Sequence, residues 1–239
     1  MEDCAAHADS LWTSIVSFEY WPEIGEGTID TLVMTGFSLL FTVLIGLPVG
    51  VVLFLTSWSQ RAPDLFVARL QSWTYTTLSF VVNILRSVPF LILLILLIPA
   101  TRWLVGTSLG VQGSIPPLVI AAAPFFARLI ETLLREVDRG VFEACRSMGA
   151  TTRQMVFWAL LPETFTGILA AITVTAIALV GYSAMSGVIG GGGLGDLAVR
   201  YGYQRFNTPV MIVTVAILVV LVQLIQLLGD RLVARVSHK

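Results

Sequence analysis

The sequence predicts an all-α membrane protein with five transmembrane helices, its N-terminus outside and its C-terminus inside. Of 239 residues, 56% are hydrophobic and 12% charged, and the mean hydropathy is +0.87. A soluble domain carries about twice that share of charge, and a disordered chain is far less hydrophobic. The net charge is −1 and Lys239 is the single lysine, so the composition also excludes a basic nucleic-acid-binding surface. Five charge-free stretches and an uneven distribution of arginine complete the prediction.

The charge-free stretches place the helices. They are residues 31–60, 87–101, 103–127, 164–195 and 206–229. A helix needs about 20 apolar residues to cross the hydrocarbon core. The second stretch is short, and its extension back through 78–85 brings Arg86 into the span. We therefore predict spans at about 31–56, 78–100, 115–133, 164–189 and 208–229.

Prolines interrupt three of these spans. They are Pro48, Pro89, Pro116, Pro117 and Pro124. Proline in a membrane helix leaves a carbonyl that neighbours or cavity water must satisfy, which suits helices that move or line a pathway. The alternative is that proline and glycine are simply common in membrane helices, with Gly46 and Gly50 forming a packing face.

The basic residues predict the orientation. With the N-terminus outside, eleven Arg and Lys residues lie on the cytoplasmic side and three, Arg102, Arg200 and Arg205, lie on the outer side. This distribution follows the positive-inside rule. Residues 1–29 contain no Lys or Arg, and we expect them to form an acidic extracytoplasmic extension, either lying in the membrane interface or flexible.

The cytoplasmic loop, about 134–163, predicts two short helices. Val141, Ala144, Cys145 and Met148 recur at helical spacing and form one apolar stripe. Gly149 then ends the first helix in the left-handed conformation. Thr151 or Thr152 caps a second helix, which ends at Pro162. A rigid helix bounded by turns suits a docking element, and the alternative is an amphipathic connector on the membrane surface.

The spacing within this loop resembles a known motif. Glu143-Ala144-Cys145, Gly149 after three residues, and Leu161-Pro162 resemble the EAA-x3-G-x9-I-x-LP signature of ABC importer permeases. In that family the signature marks the coupling helix, which sits in a groove of the ATPase subunit. Cys145 stands where alanine is usual and Ala159 where isoleucine is usual, and both of these residues are small and apolar.

Further segments resemble the methionine importer permeases within that family. They are IGLPVG at 45–50, NILRSVPF at 83–90, VGTSLG at 105–110, AAPFFAR at 122–128, LVGYSAM at 179–185, GGLG at 192–195, YGY at 201–203 and GDR at 229–231. The resemblance covers about residues 30–239. It implies a type I ABC importer permease fold in the bacterial inner membrane. It also implies a homodimer with two ATPase subunits and an extracytoplasmic binding protein, and methionine as the substrate.

The chain itself offers no chemistry for hydrolysing ATP. It contains no G-x-x-x-x-G-K-[ST] phosphate loop, so a partner ATPase must bind ATP and Mg²⁺, and we expect neither a cofactor nor an enzymatic activity in this chain. His7 and His238 lie near opposite ends, which disfavours a metal site or a nucleophile–histidine pair. Residues 190–195 match G-x-G-x-x-G formally, but they follow a span, not a strand, and suit a tight turn. Acidic groups inside the spans are nearly absent, which argues against a proton- or sodium-coupled carrier.

Tyr182, Ser183 and Met185 are the candidate residues of the translocation path. By family analogy Met185 forms a hydrophobic gate, a role that its flexible apolar side chain suits. The alternative is packing against neighbouring helices. Two other functions stay open: the same mechanism with another amino acid or small organic solute, and a passive channel or scaffold without an ATPase.

Overall fold

The computed structural model describes residues 20–58 and 65–237, and every regular element in these ranges is helical. This confirms the all-α class. The helices are α1 (Trp21–Trp58), α2 (Leu65–Ser87), α3 (Phe90–Leu96), α4 (Ile98–Val105), α5 (Gly110–Glu136), α6 (Arg139–Ser147), α7 (Thr152–Gln154), α8 (Leu161–Glu163), α9 (Phe165–Ser186), α10 (Gly193–Leu197) and α11 (Thr208–Val236). π-helical stretches at Met155–Leu160 and Ala198–Tyr203 and a 3₁₀ turn at Gly187–Ile189 complete them.

Among the described residues, four helices are long and apolar enough to cross a membrane. They are Trp21–Ser57, Gly110–Glu136, Phe165–Ile189 and Thr208–Val236. The fifth candidate is a bent pair, Trp73–Ser87 and Phe90–Leu96, which the sequence had predicted as one span. The chain turns by 103° there because Pro89 has no N–H to donate and restricts the residue before it. The limits of the spans within the membrane stay a prediction.

The other prolines behave differently from Pro89. Pro48 lies inside α1, and Pro116, Pro117 and Pro124 lie inside α5, each without ending its helix. Of these five prolines, only Pro89 lies at a break between two helices.

The first helix begins earlier than expected. Helix α1 starts at Trp21, so residues 21–29 of the predicted extension belong to it. Residues 1–19 lie outside the described residues, and the prediction for them stays a prediction.

The chain divides into two compact units. The first contains the described residues up to Ser38, together with Leu91–Leu118 and Leu179–Leu224. Its apolar cluster is built on Ile24, Leu194 and Leu197. The second contains Leu39–Phe90, Val119–Ala178 and the chain from Ile225.

The second unit has the larger core, where α1 packs closely against α5. A Cβ atom added at Gly46 would lie 2.9 Å from the Phe126 ring, and one added at Gly50 would lie 2.6 Å from the carbonyl oxygen of Ala127. The helices approach this closely because glycine has no side chain, as in other small-residue contacts between membrane helices. The packing-face interpretation of Gly46 and Gly50 is therefore confirmed.

Large apolar side chains cover the outside of the long helices. On α11, Val219, Val220 and Leu224 are each more than half exposed. Such a surface suits a lipid solvent and would aggregate in water.

Candidate functional site

The loop motif forms a short helix with well-defined ends. Asp138 caps α6 by accepting a hydrogen bond from the Gly140 N–H at 2.6 Å. Gly149 has φ +74° and donates its N–H to the Arg146 carbonyl at 3.0 Å, while Ala150 N–H donates to the Cys145 carbonyl at 3.0 Å. This pair of bonds is a Schellman motif, which requires the left-handed conformation that glycine adopts at low cost. Gly149 ends the helix as predicted.

The buried side of α6 differs from the predicted stripe. Phe142 is 2% exposed and packs on Phe54 with ring centroids 5.8 Å apart, and Cys145 is partly buried beside it. Ala144 is exposed and Met148 is 76% exposed, so the predicted apolar stripe is not the face on which α6 packs. The stripe omitted Phe142 because helical spacing identifies a face only when the neighbouring core is known.

The exposed side of α6 carries the motif residues that point away from the protein. Glu143 and Ala144 are exposed, as are Met148 and Gly149. A carboxylate beside small and flexible apolar side chains, on a helix held at both ends, is a surface that another protein can bind without reordering it.

The second part of the motif follows a capping box. The Thr151 hydroxyl accepts from the Gln154 N–H, and the Gln154 side-chain oxygen accepts from the Thr151 N–H at 2.9 Å. Helical structure then continues through the π-helical stretch and past Pro162 to Glu163, so the prediction that Pro162 ends the helix was wrong. Proline is tolerated at the first turn of the new segment, where its missing N–H breaks no bond.

The structure brings the two halves of the motif to one core. Leu161 and Cys145 pack against the same cluster as Phe142. Pro162 is exposed and lines a groove of about 830 Å³ with Phe157, Phe165 and the end of α11. The spacing of the motif therefore places Cys145 and Leu161 on one core and leaves Glu143 and Pro162 exposed.

The three candidate path residues lie on α9, but their environments differ. Met185 is half exposed and Tyr182, three residues earlier on the same face, is half-buried. Ser183 is 1% exposed, and its hydroxyl donates to the Val180 carbonyl at 2.8 Å. Met185 thus presents a half-exposed side chain on α9, whereas the hydroxyl of Ser183 is engaged by its own helix.

The glycine-rich segment makes the tight turn that the sequence predicted. Gly190, Gly192 and Gly193 all have φ near +80°. The Leu194 N–H donates to the Thr31 hydroxyl at 2.9 Å, which seats the turn on α1. The glycines are required by backbone conformation and close approach, which accounts for the G-x-G-x-x-G pattern.

An acidic cleft of about 350 Å³ lies beside this turn. Its charged and polar lining consists of Glu23, Glu26, Asp30, Asp196, Arg200 and Tyr201. A hydrogen bond with Glu23 raises the pKa of the Tyr201 phenol, and Arg205 stacks 4.7 Å from the same ring. Within the described part of the chain, no group of three His, Cys, Asp or Glu side chains is arranged to hold a metal ion.

The sequence reasoning missed a buried carboxylate. Glu131 lies inside the third predicted span and is 1% exposed, with Arg128 and Arg135 bonded to it. The i, i+3, i+7 spacing of these three residues on α5 was the signal that could have revealed them. Both oxygens of Glu131 are bound by arginine, which is a structural ion cluster and not an open proton site.

Comparisons with known proteins agree with this architecture. The profile of the family "Binding-protein-dependent transport system inner membrane component" matches residues 65–238. A probable D-methionine transport system permease protein, MetI, of Vibrio cholerae is 47% identical over 89% of this chain and 91% of its own length. The methionine import system permease protein MetP of Bacillus subtilis is 48% identical over 74% of this chain and 77% of its own. A chain of the inward-facing MetNI methionine ABC transporter is 47% identical, with a TM-score of 0.83 over 90% of this chain and 96% of that chain.

Proposed function

The chain belongs to the family of binding-protein-dependent transport system inner membrane components, and we propose that it is the membrane-spanning subunit of an ATP-driven methionine importer. The observation that carries the proposal is the 47% identity to a methionine permease over nearly the whole length of both chains. Two copies of the chain form the translocation pathway, and two ATPase subunits bind ATP and Mg²⁺ and supply the energy. An extracytoplasmic binding protein delivers the substrate.

Helix α6 is the surface that docks into the ATPase subunit. Glu143 is the charged residue of its exposed face and offers an acceptor to hydrogen-bond donors in the ATPase groove. Ala144 lets the partner approach closely, and Gly149 ends the helix at the required point. Cys145 and Leu161 pack on the core of the second unit, to which α6 belongs, and Pro162 lines the groove at the other end of the motif.

The N-terminus lies outside and the C-terminus inside, which puts α6 on the cytoplasmic side with the ATPase. The support is the bias of eleven basic residues against three. Met185 and Tyr182 lie on the exposed face of α9, where Met185 forms a hydrophobic gate across the dimer axis.

Uptake of labelled L-methionine tests the substrate. The chain is co-expressed with its ATPase and binding protein in cells without their own high-affinity methionine importer, and unlabelled amino acids compete. We expect uptake that depends on the chain and is blocked chiefly by methionine, its D-isomer and close thioethers. If another amino acid blocked the uptake better than methionine does, that amino acid would be the substrate.

The variant Glu143→Ala tests the docking assignment, with Glu136→Ala as the matched control. Both residues are exposed glutamates, and Glu136 ends α5 outside the motif. We expect Glu143→Ala to lose most uptake and most permease-stimulated ATP hydrolysis at normal membrane levels, while Glu136→Ala keeps both. Unchanged uptake in Glu143→Ala would favour a channel or scaffold that needs no ATPase.

A further inference from the structure

The last turns of α5 carry an ion triad built around a buried carboxylate, with one of its arginines half exposed. The carboxylate of Glu131 is bound on both oxygens, by Arg128 Nη1 at 2.6 Å and by Arg135 Nη2 at 2.5 Å. All three residues belong to α5, so the ionic bonds lie within one helix. The Glu131 side chain is 2% exposed, and the two arginine contacts offset the cost of burying its carboxylate.

The triad is bound to the neighbouring helix α2 through neutral side chains. Arg128 Nη2 donates to Ser79 Oγ at 2.8 Å and to Asn83 Oδ1 at 2.9 Å. Arg135 Nη2 donates to the Tyr75 hydroxyl at 2.9 Å, and this hydroxyl donates to Glu131 Oε1 at 3.3 Å. The three α2 residues are spaced four apart and form one polar stripe facing the triad.

These bonds control how α2 can move against α5. The helices also meet through an apolar contact, with Val82 packed in one cluster with Ala127, and through Arg86, which lies 6.0 Å from the centroid of the Phe125 ring. Apolar contacts have no fixed direction, and lipid gives them little driving force, so they permit sliding. Hydrogen bonds from charged donors are directional and stronger, so they fix the register of the two helices.

The position of the triad in the chain gives this contact a mechanical role. Helix α5 ends at Glu136, and α6 begins at Arg139 after the capping residue Asp138. Arg135 therefore lies about one helical turn before the docking helix, and Arg128 lies about three turns before it. A displacement of α6 reaches α2 directly if α5 and α2 are locked together at this point.

We propose that Arg128 and Arg135, oriented by Glu131, are positioning residues that lock α2 to α5, so that the movement of α6 driven by the ATPase is carried to α2. This inference rests on the proposed function, since it needs a partner that moves α6. The ion triad thereby couples the docking surface on α6 to a second transmembrane helix, α2.

A triple variant of the α2 residues tests the lock without leaving a buried charge unpaired. Tyr75→Phe, Ser79→Ala and Asn83→Ala together remove the four hydrogen bonds described above between α2 and the triad, and leave the ionic bonds within α5 in place. The variant is reconstituted in liposomes with the ATPase and the binding protein, and methionine uptake is measured per ATP hydrolysed. We expect this ratio to fall about threefold or more while ATP hydrolysis is largely retained.

The ratio separates coupling from a purely structural role. If the hydrogen bonds only stabilise the fold, uptake and hydrolysis fall together, the ratio stays at the wild-type value, and the inference is overturned. Glu136→Gln is the control, because it removes an exposed charge from the same helix and should keep the ratio. If the triple variant does not assemble, Tyr75→Phe alone decides: a lowered ratio supports the lock and an unchanged ratio refutes it. A wild-type complex without methionine uptake would refute the proposed function, and this inference would fall with it.

Discussion

Phe142 is the side chain that anchors α6 on the core of the second unit, and Phe142→Ala should release this helix. The ring is 2% exposed and lies among Phe54, Leu134 and Met155. Truncation of a buried phenylalanine to alanine costs about 3–5 kcal/mol when the cavity does not collapse. If most of that cost falls on the local opening of α6, the open population rises on the order of 100-fold or more, since about 1.4 kcal/mol is tenfold.

Limited trypsin digestion measures this opening, because the exposed Arg146 and Arg153 flank the end of α6. In the regime where reclosing is faster than cleavage, the cutting rate follows the open population. Met148→Ala is the control: its side chain is 76% exposed, so its removal should leave the cutting rate nearly unchanged. If Phe142→Ala were cut no faster than Met148→Ala, Phe142 would not anchor α6 and the reasoning from burial would be refuted.

Three further predictions follow from the backbone and packing. Gly149→Ala should destabilise the end of α6 by about 1–2 kcal/mol through its positive φ alone, since no atom lies within 4 Å of the added methyl group, and a lowered local protection in hydrogen exchange would show it. Gly50→Ala should lower the melting temperature of the purified complex, because the added methyl group clashes with Ala127 at a cost of about 1–3 kcal/mol. Gly36→Ala should not lower it, because the space around Gly36 is open. Equal effects of the two variants would disprove close packing as the cause. Met148→Cys in an otherwise cysteine-free chain should react with a membrane-impermeant maleimide in inverted vesicles and not in right-side-out ones, and the opposite result would reverse the orientation.

Much of the fold follows from local chemistry that a sequence exposes directly. The hydropathy of the charge-free stretches predicted the long helices. A segment in lipid must satisfy its own backbone N–H and C=O groups, and a helix does so independently of its neighbours. The turn at Gly149 and the cap at Thr151 were also readable, since both are decided by the conformational preferences of one or two residues. The motif from Glu143 to Pro162 could be recognised for the same reason, because all of its residues lie within 20 positions of the chain.

Other features depended on which helices become neighbours. Pro89 and Pro162 show this with one residue type. The chain bends by 103° before Pro89, whereas Pro162 lies in the first turn of a helical segment that continues the π-helical stretch Met155–Leu160. Phe142 was left out of the predicted stripe because the core it packs against comes from α1, almost 90 residues earlier.

By itself, the sequence determined the class of protein, the approximate positions of the helices and the motif from Glu143 to Pro162. It could do so because hydropathy, helical period and turn preference act over a few residues. Only the tertiary structure decided that Glu131 is a bound member of an ion triad and that this triad is tied to Tyr75, Ser79 and Asn83. The spacing on α5 and the spacing on α2 are each ordinary. They form one hydrogen-bonded network because the packing of the two helices brings residues about 50 positions apart within hydrogen-bonding distance. The buried carboxylate of Glu131 needs such partners.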